Sequence, residues 1–80
     1  MKNMLLKFGL EEKEADIYLS CLGKELNTPT EIAKKTDIKR TTIYFYLKKL
    51  LGKGLISYKV YRYKKYIKTL PLRDRFSQYV

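Results

Sequence analysis

The residues with chemical reach are cations, hydroxyls and aromatics, and they crowd into two stretches. Lys39, Arg40, Thr41, Thr42, Tyr44, Phe45, Lys48 and Lys49 form the first. Tyr58, Lys59, Tyr61, Arg62, Tyr63, Lys64, Lys65, Tyr66 and Lys68 form the second. Cations interleaved with aromatics suit a polyanion: the cations neutralise phosphates and release counterions, and the rings stack on bases or pack on thymine methyls. Catalysis has little support. There is no His, no glycine-rich phosphate loop and no cysteine paired with a base. The acids Glu11, Glu12, Glu14 and Asp16 sit together as at an ordinary helix start. One Cys without His excludes the usual zinc sites. No enzyme activity, cofactor or metal is expected.

The charge distribution sharpens this. The 80 residues carry a net +10. Residues 1–30 hold four lysines against five acids, whereas residues 31–80 hold fourteen Lys/Arg against Glu31, Asp37 and Asp74. The excess therefore belongs to the part that carries both stretches, and a nucleic acid is the favoured partner. An anionic membrane is disfavoured, because no long helix has a basic face and a wide apolar face. No apolar run spans a bilayer, and Met1 to Leu6 is too short for a secretory signal. The lone Cys21 reads as a reduced thiol, so a cytoplasmic location is expected.

The elements that would position these residues follow from periodicity. Residues 2–8 suggest a short helix with Met4, Leu5 and Phe8 inward, ended by Gly9. A second helix is expected from Glu12 to Gly23, burying Ala15, Tyr18, Leu19 and Leu22, with Cys21 beside that stripe. Leu26-Asn27 reads as a minimal strand. Thr28-Pro29-Thr30-Glu31 is a helix start, with a capping box and Pro at the first position; Ile32 and Ala33 would face inward. Asp37-Ile38-Lys39 makes a tight turn into a helix over 39–54, whose inner stripe is Ile43, Tyr46, Leu47 and Leu50. Thr41, Phe45 and Lys48 fall on its opposite side. Gly54 ends it, with Lys53 at its negative end. Two helices joined by a short turn, the second basic, make a helix-turn-helix. Ile56, Tyr58 and Val60 alternate as a strand, and Tyr63 to Thr69 suggests a second, turning near Val60-Tyr61-Arg62. Tyr58 and Tyr66 are expected to cover the helices, and Tyr61 and Tyr63 to be exposed. Residues 71–80 would form a last short helix.

The expected fold is mainly α with a small β-hairpin, a single winged helix-turn-helix domain over 1–80. Its helix-turn-helix would span about 29–53 and its wing about 55–69. Leu5-Leu6-Lys7-Phe8-Gly9-Leu10 followed by Glu14-Ala15 and Tyr18-Leu19, then Glu31-Ile32-Ala33, Arg40-Thr41-Thr42-Ile43-Tyr44 and Lys53-Gly54-Leu55-Ile56, occur in an order similar to the N-terminal DNA-binding domain of the TrmB family. These are transcriptional regulators found mainly in archaea. The resemblance covers about residues 5–71. Two departures stand out: the wing lacks the Gly and Pro usual in the family, and Phe45 occupies a position often polar or acidic. The sugar-sensing domain of longer members does not follow within these residues, so no small-molecule effector site is expected, and the chain resembles a stand-alone module or a truncated one.

In a winged helix, the first half of the recognition helix meets base edges in the major groove. Arg40 can clamp a guanine or bind phosphate. Thr41 and Thr42 suit either role, and Thr41 is equally a candidate helix cap. Phe45 packs either on thymine methyls or on protein. Lys39, Lys48 and Lys49 are expected on phosphate, and Tyr44 is either a phosphate anchor or part of the core. Tyr61, Arg62, Tyr63, Lys64 and Lys65 would place the wing on the backbone or minor groove. Thr30, Lys34 and Lys35 are candidate backbone contacts. The leading reading is a sequence-specific regulator of double-stranded DNA, as a homodimer joined through residues 2–8 and 72–80. The alternatives are an RNA or single-strand binder, and a protein-interaction module.

Overall fold

The computed structural model describes residues 2–70. In chain order these form α1 (Lys2–Lys7), α2 (Glu12–Cys21), α3 (Pro29–Thr36), α4 (Arg40–Gly52), β1 (Ile56–Tyr61) and β2 (Lys64–Thr69). The expected helix over 71–80 lies outside the described residues. No helix among the described residues is long and apolar enough to cross a membrane.

The core gathers Leu5, Leu10, Ala15, Ile17, Tyr18, Cys21, Ile32, Ile43, Leu47, Leu50, Leu55, Ile56 and Ile67, so every element contributes. In α1 only Leu5 is buried, and Met4 and Phe8, expected inward, are exposed. A helix of six residues offers one inward position. The chain then turns at Gly9, whose φ of 90° favours glycine, and Leu10 donates its N–H back to the Leu5 carbonyl at 3.3 Å.

The helix α2 packs against α1, α3, α4 and β2, so its buried face is wider than one stripe. Ala15 and Tyr18 are buried as expected, but Ile17, Cys21 and Glu14 join them, while Leu19 is half-buried and Leu22 exposed. The helix ends at Cys21, before its expected limit at Gly23, which turns Leu22 out of the stripe. The Tyr18 hydroxyl donates to the Leu70 carbonyl at 2.8 Å and ties α2 to the end of the hairpin.

The expected N-cap of α3 is formed by the Thr28 side chain, with Pro29 in the first turn. The Glu31 N–H donates to Thr28 Oγ1 at 3.2 Å, and the Thr28 hydroxyl donates to Glu31 Oε1 at 3.3 Å. Asp37 ends α3 in the left-handed region, φ 59°, which a short polar side chain tolerates. Ile38 packs against the core from this turn, as expected. The next helix, α4, is capped by Lys39, so Thr41 lies inside its first turn and is not the cap. Ile43, Leu47 and Leu50 are fully buried and Tyr46 half-buried, which makes the expected inner stripe. The left-handed Gly54, φ 74°, then sends the chain into the hairpin.

The strands pair antiparallel from Ile56↔Thr69 to Tyr61↔Lys64. The turn is therefore Arg62-Tyr63, later than expected, and both residues have positive φ, 50° and 67°. Two left-handed central residues are the signature of a type I′ turn, which matches the twist of the strands. The register puts Ile56, Tyr58, Val60, Lys65, Ile67 and Thr69 on one face, and Ser57, Lys59, Tyr61, Lys64, Tyr66 and Lys68 on the other. Tyr58 and Tyr66 thus point to opposite faces, and both cannot cover the helices. Only Ile56 and Ile67, at the base of the hairpin, are buried. Asn27 adds a third strand reduced to one bridge with Ile67, as the Leu26-Asn27 reading anticipated.

Candidate nucleic-acid interface

The sequence between Lys39 and Lys53 folds into a helix with three different sides. The inner side is the apolar stripe. The outer side presents Thr41, Phe45 and Lys48, all exposed, with Phe45 at 54% of its free area. One flank carries Arg40 and Tyr44, both exposed. Arg40 Nη2 reaches the Tyr44 hydroxyl one turn on, at 3.5 Å. Thr42, half-buried, opens the other flank, where Tyr46, Lys49 and Lys53 follow.

That second flank is bound to the start of α2. Lys49 Nζ pairs with Glu11 Oε2. Lys53 Nζ lies 3.0 Å from both oxygens of Glu14, whose side chain is fully buried. The Glu11 N–H donates to Glu14 Oε1 at 2.8 Å, so the buried carboxylate is satisfied by a cation and by the helix start. The acid cluster read as an ordinary helix start is therefore also a clamp on the last turns of α4. The pairing of Glu14 with Lys53 has no local signal, because the two are 39 residues apart in the chain. Lys49 also stands over the Phe45 ring, 4.8 Å from its centroid, and over Tyr46 at 5.5 Å. The two rings meet edge to face at 5.1 Å. The Lys49 ammonium holds the Glu11 carboxyl below the usual carboxylate range, and Glu11 in turn raises Lys49.

The candidate cations now separate. Lys39 and Lys48 are exposed, and no ion pair holds them among the described residues. Lys49 is committed to Glu11. On α3, Thr30 and Lys34 are exposed, but Lys35 donates to the Ser20 carbonyl at 3.3 Å, at the negative end of α2. On the wing, Tyr61, Arg62, Tyr63, Lys64 and Lys65 are all exposed, and Tyr63 is fully so. Arg62 lies over the Tyr61 ring at 5.3 Å and Lys65 over Tyr58 at 5.2 Å. Lys59, which pairs with Tyr66 across the strands, shares the face of Tyr61 and Lys64 and belongs with them. No group of three or more potential metal ligands occurs among the described residues.

Helix, turn, exposed basic helix and two-stranded wing define a winged helix-turn-helix. Solved structures agree on the fold. BpsR of Bordetella bronchiseptica, whose DNA binding is described as regulated by 6-hydroxynicotinic acid, superposes with a TM-score of 0.76 at 14% identity, over 91% of this chain and 54% of its own. TrmBL2, described as an archaeal chromatin protein with a novel mode of DNA binding, gives 0.79 at 22% identity, over 98% of this chain and 32% of its own. The chain thus spans about half and a third of those proteins. None of the curated proteins matches it. The family model described as "Sugar-specific transcriptional regulator TrmB" matches residues 4–71. The chain belongs to the TrmB family, as the order of its motifs suggested, and is a winged helix of a family of transcriptional regulators, not of enzymes.

Proposed function

We propose that this chain is a sequence-specific binder of double-stranded DNA, with α4 in the major groove and the wing on the backbone or minor groove. The observation that carries this reading is the outer side of α4. It sets one half-exposed aromatic, Phe45, between a hydroxyl at Thr41 and a cation at Lys48 that no ion pair holds among the described residues. A ring in that place suits thymine methyls, while Thr41 and Arg40 reach polar base edges or phosphate. Lys39 and Lys48 take phosphates beside it, with Tyr44 anchored on the same strand. The Tyr61 to Lys65 tip supplies a second set of contacts, and Thr30 and Lys34 flank the groove. Binding occupies a promoter and acts there on transcription, as a homodimer on a two-fold site. The exposed Met4 and Leu6 of α1 offer apolar area for a second copy.

Titration of labelled duplexes against salt tests the reading. Affinity falls with a log–log slope of about −0.9 per neutralised phosphate, and duplexes selected from a random pool bind more tightly than mixed sequence. Failure to bind duplex at low salt rejects it. The fully exposed Tyr63 favours one second reading, stacking on unpaired bases. Tighter binding of a single strand than of its duplex would select that reading instead.

A further inference from the structure

Lys49 and Glu11 are unlike the other charged groups of the candidate interface. Lys49 is a cation of the recognition helix that already has an anion. Its ammonium sits on Glu11 Oε2 while lying over the faces of Phe45 and Tyr46. Glu11 is fixed in place by the helix it starts, since its own N–H donates to the buried Glu14. Its carboxylate receives Lys49, whose hydrogen bond holds it below the usual carboxylate range. The surroundings discourage any rival anion. Glu11 lines a cleft with three other acids, Glu12, Asp16 and Asp37; Lys13 lines it too and Lys2 pairs with Glu12 and Asp16, so the acids remain in excess. A DNA phosphate approaching Lys49 from that flank meets negative charge.

We propose that Glu11 is a specificity-determining residue that occupies Lys49 in place of a DNA phosphate, and so holds the lysine against Phe45. The proposal rests on the duplex-binding reading above. It replaces the expectation that Lys49 binds backbone. Two consequences follow from the geometry. A lysine neutralised by its own chain displaces no counterion from DNA, so it adds nothing to sequence-independent affinity. The Lys49 ammonium also covers one face of the Phe45 ring. The ring keeps one orientation toward the groove, where a free ring and a free lysine would fit many sequences. Glu11 touches no base in this arrangement; it is a positioning residue that acts through Lys49.

The test is a double-mutant cycle read as salt dependence, using the whole chain and a fluorescein-labelled duplex of mixed sequence. Lys49→Ala is expected to keep the wild-type log–log slope. Glu11→Gln, which keeps the side-chain volume, steepens it by about 0.9 as the freed lysine takes a phosphate. Adding Lys49→Ala to Glu11→Gln restores the wild-type slope. In parallel, Glu11→Gln loses several-fold in the ratio of affinity for wild-type-selected duplexes over mixed sequence. A Lys49→Ala variant that by itself flattens the slope by about 0.9 overturns the proposal, because Lys49 then binds phosphate in the wild type. A steepening in Glu11→Gln that survives removal of Lys49 overturns it too, as a general charge effect. A wild type that binds no duplex at low salt removes the DNA-binding reading and this proposal with it, whereas either of the other adverse results removes the role of Glu11 alone.

Discussion

Phe45 and Tyr63 are large aromatic side chains that the fold leaves in solvent, and each makes a separable prediction. Phe45 packs on Lys49 and the edge of Tyr46 but covers no core residue, so its removal tests recognition with little effect on folding. Phe45→Ala is expected to change stability by less than about 0.5 kcal/mol. It loses about 1 kcal/mol of discrimination between selected and mixed duplexes, measured by competition binding. Tyr63 carries a different cost, because its φ of 67° places a bulky residue in the left-handed region. Tyr63→Gly relieves that strain and is expected to stabilise the protein by about 1 kcal/mol in thermal unfolding, while weakening duplex affinity. Better folding with poorer binding identifies the tip as functional. The exposure of Phe45 was readable from helical periodicity and that of Tyr63 from its place near the hairpin tip. The turn type was not, because Arg62-Tyr63 lacks the Gly, Asn and Asp that mark such turns.

The packing between elements depends on two polar devices that periodicity cannot show. Asn27 is fully buried, and the two hydrogens of its Nδ2 are shared among the carbonyls of Cys21, Lys24 and Ile67, at 3.3, 2.9 and 3.2 Å. It closes α2, the loop before α3 and β2 onto one another. Asn27→Ala takes the side-chain donor from the Lys24 carbonyl, while the Cys21 and Ile67 carbonyls keep the backbone N–H groups of Lys24 and Asn27, and it is expected to cost about 1 kcal/mol in urea unfolding. The other device is the clamp between the start of α2 and the end of α4. The helices, the Thr28 cap, the three-residue turn and the hairpin were legible because each is local in sequence. The clamp joins Glu11 to Lys49 and Glu14 to Lys53 across 38 and 39 residues, and nothing local marks those partners. The buried face of α2 was misread for a related reason. The helix is surrounded by four elements, so a single-stripe pattern undercounts what it buries.

At the scale of the whole molecule, charge is sorted by location. Acids gather at the start of α2, and cations dominate from α3 onward. The ion pairs within and between these parts make stability depend on pH with a definite sign. Glu11 and Glu31 are lowered by hydrogen bonds from Lys49 and Lys24. Their contribution is present above the ordinary carboxylate range and is lost as pH falls through their depressed values. Lys2 and Lys49 are raised by Asp16 with Glu12 and by Glu11. Their contribution is present below the ordinary lysine value and is lost as pH rises through the raised one. Thermal unfolding is expected to give a plateau at neutral pH with shallow falls on both sides, shallow because these groups face solvent. The fold and the basic bias of the interface were visible in the chain, whereas the division of its cations into free and committed ones needed the structure. The central claim is that the outer side of α4 and the wing tip meet duplex DNA. Backbone amide chemical shifts, followed while a duplex is added to isotope-labelled protein, test it most directly. The largest changes are expected at Thr41, Phe45 and Lys48 and from Tyr61 to Lys65, with little change around Leu5, Ile17 and Cys21. Changes confined to α1 and the C-terminal half of α2, with α4 and the wing unmoved, would contradict the account.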